Sequence, residues 1–109
     1  MDHNLEIVTE SNIERFLDRL YVESDQAQRD LYRNLLLSEF KRYSSKEEQL
    51  KALERSLRRC DTEIVRQRTQ ISYRRAEGID ARLSETRLDN TLDLQAALRI
   101  ELRKALNET

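Results

Sequence analysis

Apolar residues recur every three or four positions through most of the chain, which is the spacing of one face of an α-helix. The chain contains no proline and a single glycine, Gly78, and helix interiors exclude both residue types. Good helix formers (Leu, Glu, Arg, Gln and Ala) dominate the composition. We therefore predict an all-α protein, a small helical bundle with one long coiled-coil-like helix, folded as a single domain over residues 1–109.

Capping signals divide the chain into four predicted helices. Ser11 with Glu14 fits a capping box at the start of the first helix, and Ser45 with Glu48 fits another at the start of the third. The pair Ser24 and Asp25 ends the first helix and caps the second. The predicted helices span residues 12–23, 26–43, 46–77 and 79–107, with a break near Gly78.

The second predicted helix has the densest apolar stripe of the chain, and we expect it to form the centre of the core. The residues of this stripe are Leu31, Tyr32, Leu35, Leu36, Leu37, Phe40 and Tyr43.

The third predicted helix has a narrow apolar seam. Its apolar residues alternate steps of three and four, the heptad pattern of a coiled coil. At about 32 residues it would be roughly 48 Å long, whereas a domain of this size is on the order of 30 Å across. We therefore expect the seam to pair with a second copy of the chain, in parallel or antiparallel orientation. The predicted interface residues are Leu50, Leu53, Leu57, Cys60, Ile64 and Ile71.

The last segment is apolar around most of a helical wheel. Some of its apolar residues alternate as in a strand, but only Ile100 among them is β-branched, so helix is favoured. Asn90 could cap a fresh helical start within it. A helix so widely apolar must either insert between other helices or offer a second face to another chain, and both alternatives remain open.

Charge is unevenly distributed although the net charge is only -1. Residues 55–75 hold seven arginines against two acids, while residues 1–30 are acidic. Arg55, Arg59 and Arg66 form an outward stripe that could contact nucleic acid, because guanidinium groups bind phosphate. Tyr73 is the only aromatic residue within 55–75 that could stack on a nucleic-acid base, which argues against such binding. We expect the arginines to pair with acids of this or a second chain, so that binding to nucleic acid is weak.

No catalytic, cofactor or metal site is predicted. One histidine and one cysteine do not provide the ligand spacing of a metal site, and a single glycine does not form a phosphate-binding loop. Cys60 is interpreted as a packing residue. A reactive thiol is the alternative, because Arg58 and Arg59 beside it could lower its pKa. A lone cysteine also excludes an intramolecular disulfide and fits a reducing compartment.

We therefore expect a protein–protein interaction module without catalytic activity: a homodimeric small regulator or adaptor, with another protein as a further partner. No apolar run approaches the roughly 20 residues needed to span a membrane, so we expect a cytoplasmic protein. The alternative function is a nucleic-acid-binding regulator that uses the arginine-rich residues 55–75.

Overall fold

The computed structural model describes residues 3–108, with side chains from Glu6 onward. Four helices follow one another along this part of the chain, and no strand occurs in it. They are α1 (His3–Val22), α2 (Gln26–Phe40), α3 (Lys46–Ala76) and α4 (Arg82–Asn107). The fold class is therefore all-α, with one helix of 31 residues, as predicted.

Side-chain caps define the starts of α2 and α3. The Asp25 carboxylate accepts a hydrogen bond from the Gln28 amide at 3.2 Å, and the Ser45 hydroxyl accepts one from the Glu48 amide at 3.1 Å. Each bond satisfies a backbone N–H that has no partner within its own helix. Gly78, just beyond α3, has a φ of 69°, the left-handed conformation that glycine adopts without strain.

The structure differs from the sequence prediction at three boundaries. α1 begins at His3, so Ser11 lies inside the helix and is not its N-cap. Residues 3–11 contain no helix breaker, and Thr9 is fully buried, so packing carries the helix through the capping signal. α4 begins at Arg82 and continues unbroken through Asn90, so Asn90 is not the N-cap of a helix. α2 ends before the predicted position 43, although Tyr43 itself remains buried.

The helices form two antiparallel pairs that pack together. In the first pair, α3 and α4 are joined by ion pairs near both ends, Lys46–Glu108 at 3.0 Å and Arg75–Glu85 at 2.8 Å. In the second pair, α1 and α2 lie side by side, and α1 also packs against α4. The most deeply buried large side chains come from all four helices: Leu17, Leu20, Leu36, Phe40, Leu53 and Leu98.

Two buried polar side chains complete the C-terminal end of α1. Arg29 donates hydrogen bonds to the carbonyls of Leu20 at 2.6 Å and Glu23 at 3.1 Å. The Asn90 amide donates to the carbonyls of Tyr21 at 3.2 Å and Glu23 at 3.1 Å. These carbonyls have no partner within α1, so α2 and α4 supply the donors that the helix end lacks.

The described part of the molecule is elongated, with principal extents of 50 × 24 × 23 Å. The long axis reflects α3, which at 1.5 Å per residue is about 46 Å long. None of the described helices combines the length and the apolar character that crossing a bilayer requires.

Candidate functional site

The apolar seam of α3 is covered within the single chain. Leu53, Cys60, Ile64 and Ile71 are buried, while the other two seam residues are half-buried. The covering element is α4, which packs along α3 and also against α1. This double contact covers much of the apolar surface of the last segment, but Leu83, Ile100 and Leu106 remain exposed. Pairing of the seam with a second copy would require α4 to leave it.

The arginine stripe of α3 faces acidic residues of α1. Arg55 forms an ion pair with Glu10 at 3.5 Å, and Arg59 forms one with Asp18 at 3.1 Å. The side chains are partly exposed, so each pair adds little stability, but together they neutralise the centre of the stripe.

The third residue of the stripe is neutralised within α3. Arg66 donates two hydrogen bonds to the Glu63 carboxylate, at 3.0 and 2.8 Å, and Gln67 donates a third at 2.7 Å. Burial of Glu63 raises its pKa, but the hydrogen bonds from Arg66 and Gln67 outweigh that effect, so the pKa is lowered overall. The carboxylate therefore stays ionised against Arg66 at neutral pH.

A cleft of about 680 Å³ lies between α1 and α3 and includes these charged residues in its lining. Its apolar lining includes Ile13, Leu17 and Ala52, all buried. The acids along α1 and the arginines along α3 line opposite sides. The volume lies within the roughly 300–1,000 Å³ of small-molecule sites, and the mixture of apolar and polar lining is also typical of such sites.

Three buried hydrogen-bond donors in the cleft lining have no hydrogen-bond partner among the described residues: the hydroxyls of Tyr21 and Tyr43 and the Nη1 atom of Arg59. Both tyrosines are only 7% exposed. Burial raises the pKa of Tyr21 and of Tyr43. Cys60 lies near the Tyr21 hydroxyl and Arg55 lies near the Tyr43 hydroxyl, and each influences the pKa of that tyrosine, but neither pair meets in hydrogen-bond geometry.

The Cys60 thiol is fully buried and free. Burial raises its pKa to about 11, and the nearby Arg59 only partly opposes this effect. The thiol is therefore protonated at neutral pH, which favours the packing interpretation over a reactive thiolate.

The outer face of α2 is exposed and carries no charge. Leu31 is 49% exposed and Leu35 is 40% exposed, so the sequence prediction that both belong to the core is wrong. The apolar stripe of α2 is too broad for one buried face, and this breadth was the signal that part of it faces outward. The face consists of exposed residues only: Ala27, Gln28, Leu31, Asn34, Leu35 and Ser38.

The described side chains contain no group of three His, Cys, Asp or Glu residues that could hold a metal ion. The outer face of α2 and the cleft between α1 and α3 are two candidate binding surfaces, and exposed apolar side chains also occur elsewhere, for example at Ile79 and Leu83. Comparison of the chain with protein-family models, with curated proteins and with solved structures finds no match.

Proposed function

We propose that the chain is a protein-interaction module without catalytic activity, a small regulator or adaptor that acts as a homodimer. The observation that carries this proposal is the outer face of α2, where Leu31 and Leu35 lie exposed on a surface without charge. Exposed apolar side chains mark interaction sites where they form a contiguous patch, and Leu31 and Leu35 lie one turn apart on the same helix face. The single buried cysteine is compatible with a reducing compartment such as the cytoplasm.

A second copy of the chain is the occupant that fits this face. In an antiparallel pair of α2 helices related by a two-fold axis at position 33, Leu31 lies opposite Leu35 of the other copy. The same axis places Gln28 opposite Ser38, two uncharged polar residues that can hydrogen bond. Because the face has no charge, meeting its own copy creates no repulsion, and a two-fold interface requires such self-complementarity.

The length of α2 limits the affinity. With 15 residues it is about 22 Å long, so two such helices bury an area at or below the low end of the roughly 1,200–2,000 Å² of stable interfaces. We expect a dimer that dissociates in the micromolar range. Its outer surfaces would remain available to a further protein partner, as an adaptor requires.

Charge reversal on the α2 face tests the homodimer. Leu31→Glu with Leu35→Glu in one variant, and Leu31→Lys with Leu35→Lys in another, should each give a monomer, because like charges would then meet at the axis. Mixing the two variants should restore a dimer that contains one of each. Ile100→Glu, at a 51% exposed apolar residue of α4, is the control and should leave association unchanged. Dimers that persist in both charged variants would contradict the proposal.

The nucleic-acid alternative has less support. Arg55, Arg59 and Arg66 each pair with a carboxylate, so phosphate would have to compete for them. Among the arginines of residues 55–75, Arg58, Arg68 and Arg74 form no ion pair with the described residues. Arg74 donates to the carbonyl of Asp80, so Arg58 and Arg68 are the more available pair. Retention on DNA or RNA at about 150 mM salt, lost on Arg58→Gln with Arg68→Gln, would favour the alternative.

A further inference from the structure

We propose that the cleft between α1 and α3 binds an amphipathic anion, a small molecule with an apolar body and an anionic head such as a carboxylate. This site is separate from the outer face of α2, and the proposal does not depend on dimer formation. It is carried by the three unpartnered donors in the lining and by the apolar surface beside them.

The unpartnered groups specify a ligand that accepts hydrogen bonds. The Tyr21 hydroxyl, the Tyr43 hydroxyl and Arg59 Nη1 can all donate. A buried donor without a partner is costly, and native structures usually satisfy it with protein, water or a ligand. Because these atoms are closed to solvent in the free chain, an acceptor group that enters the cleft must displace the side chains that cover them, and it would then remove this cost.

Arg59 makes the favoured acceptor an anion. Its Nη2 atom pairs with Asp18 at 3.1 Å, whereas Nη1 is buried and unpaired, so one side of the guanidinium stays free for a second partner. Arg59 also acts electrostatically on the Tyr21 hydroxyl, which places the two donors in one neighbourhood. A carboxylate there would receive a charge-assisted hydrogen bond from Arg59 and another from Tyr21.

The rest of the cleft suits an apolar body. Ile13, Leu17 and Ala52 are buried residues of its lining. Four carboxylates also line the cleft. Those of Glu10, Glu14 and Asp18 are exposed, so solvent screens their repulsion of an anion, and the largely buried Glu63 is neutralised by its ion pair with Arg66. The preference for an anionic head group therefore comes from the buried hydrogen-bond donors.

Titration of the full chain with sodium decanoate, followed by amide chemical shifts, tests the site. We expect saturable one-to-one binding, with shifts concentrated in residues 10–22 of α1 and 52–66 of α3. Decyltrimethylammonium, which has the same tail and a cationic head, should show no saturable binding there. Absence of saturable decanoate binding, equal binding of the cation, or shifts centred elsewhere would overturn the proposal.

Variants separate ligand binding from a structural role. Tyr21→Phe and Arg59→Gln should each weaken decanoate binding about tenfold, because each removes a hydrogen bond to a charged group. Tyr21→Phe should leave the melting temperature unchanged or raise it, since its hydroxyl has no partner to lose. Tyr73→Phe and Arg68→Gln, at exposed positions outside the cleft, are the matched controls and should bind like wild type. Wild-type affinity in both cleft variants would refute the assignment.

Discussion

At the scale of single residues, two buried polar side chains of other helices supply hydrogen bonds to the end of α1. Arg29 and Asn90 reach this helix end from α2 and α4 and donate to three of its carbonyls. Burial lowers the pKa of Arg29, the direction expected where a charge leaves water. Hydrophobic periodicity does not reveal such residues, because their partners are backbone groups distant in sequence.

Replacement of Asn90 by leucine should destabilise the fold. The carbonyl of Tyr21 would lose its donor, whereas that of Glu23 would keep Arg29, and a buried acceptor without a partner costs about 1–3 kcal/mol. Urea denaturation measures the free energy of unfolding. Asn107→Leu, at the exposed end of α4, is the control and should change it by less than about 0.5 kcal/mol. Equal effects of the two substitutions would contradict the proposed role of Asn90.

The Cys60 thiol should make stability depend on pH in the alkaline range. Burial raises its pKa from 9.0 to about 11, so the folded chain retains the proton after the unfolded chain has lost it. The resulting stabilisation is present below pH 9 and is lost as the pH rises to about 11. We expect the free energy of unfolding to fall more steeply over this interval in wild type than in Cys60→Ala. Equal slopes would show that the thiol does not titrate differently in the two states.

At the scale of elements, the sequence predicted four helices but not all of their limits. The caps at Asp25, predicted together with Ser24, and at Ser45 were recognised because the segments before them are not helical. Each residue therefore lies at a true helix start and caps it with its side chain. The Ser11 signal was misleading because the preceding segment packs into the bundle through Thr9. The prediction that Asn90 could start a helix was wrong because its side-chain amide donates to the end of α1 and not to its own helix.

The two serines of the proposed capping boxes should respond differently to alanine. Ser45→Ala removes the hydrogen bond to the Glu48 amide and should cost about 1 kcal/mol of stability. Ser11→Ala, at an exposed position inside α1, should change stability by less than about 0.5 kcal/mol. Chemical denaturation of both variants provides the comparison, and a large loss for Ser11→Ala would indicate that α1 starts there after all.

At the scale of the whole molecule, the sequence showed which helix faces make contacts but not which helix each face contacts. The heptad spacing of α3 was visible in the sequence, but spacing alone does not distinguish α4 of the same chain from α3 of another. The charge pattern was likewise visible, and Arg55 and Arg59 do pair with acids of α1. The cleft was not predictable, because its lining combines positions from α1, α3 and Tyr43, and their proximity depends on how the helices pack.

Sedimentation equilibrium is the most direct test of the proposed homodimer through the exposed, uncharged face of α2. One chain has a mass of 13.0 kDa. We predict that the average mass of the wild type rises towards twice this value over a concentration range from a few to several hundred micromolar, with a two-state monomer–dimer fit. A mass that stays at that of a single chain throughout this range would contradict the account.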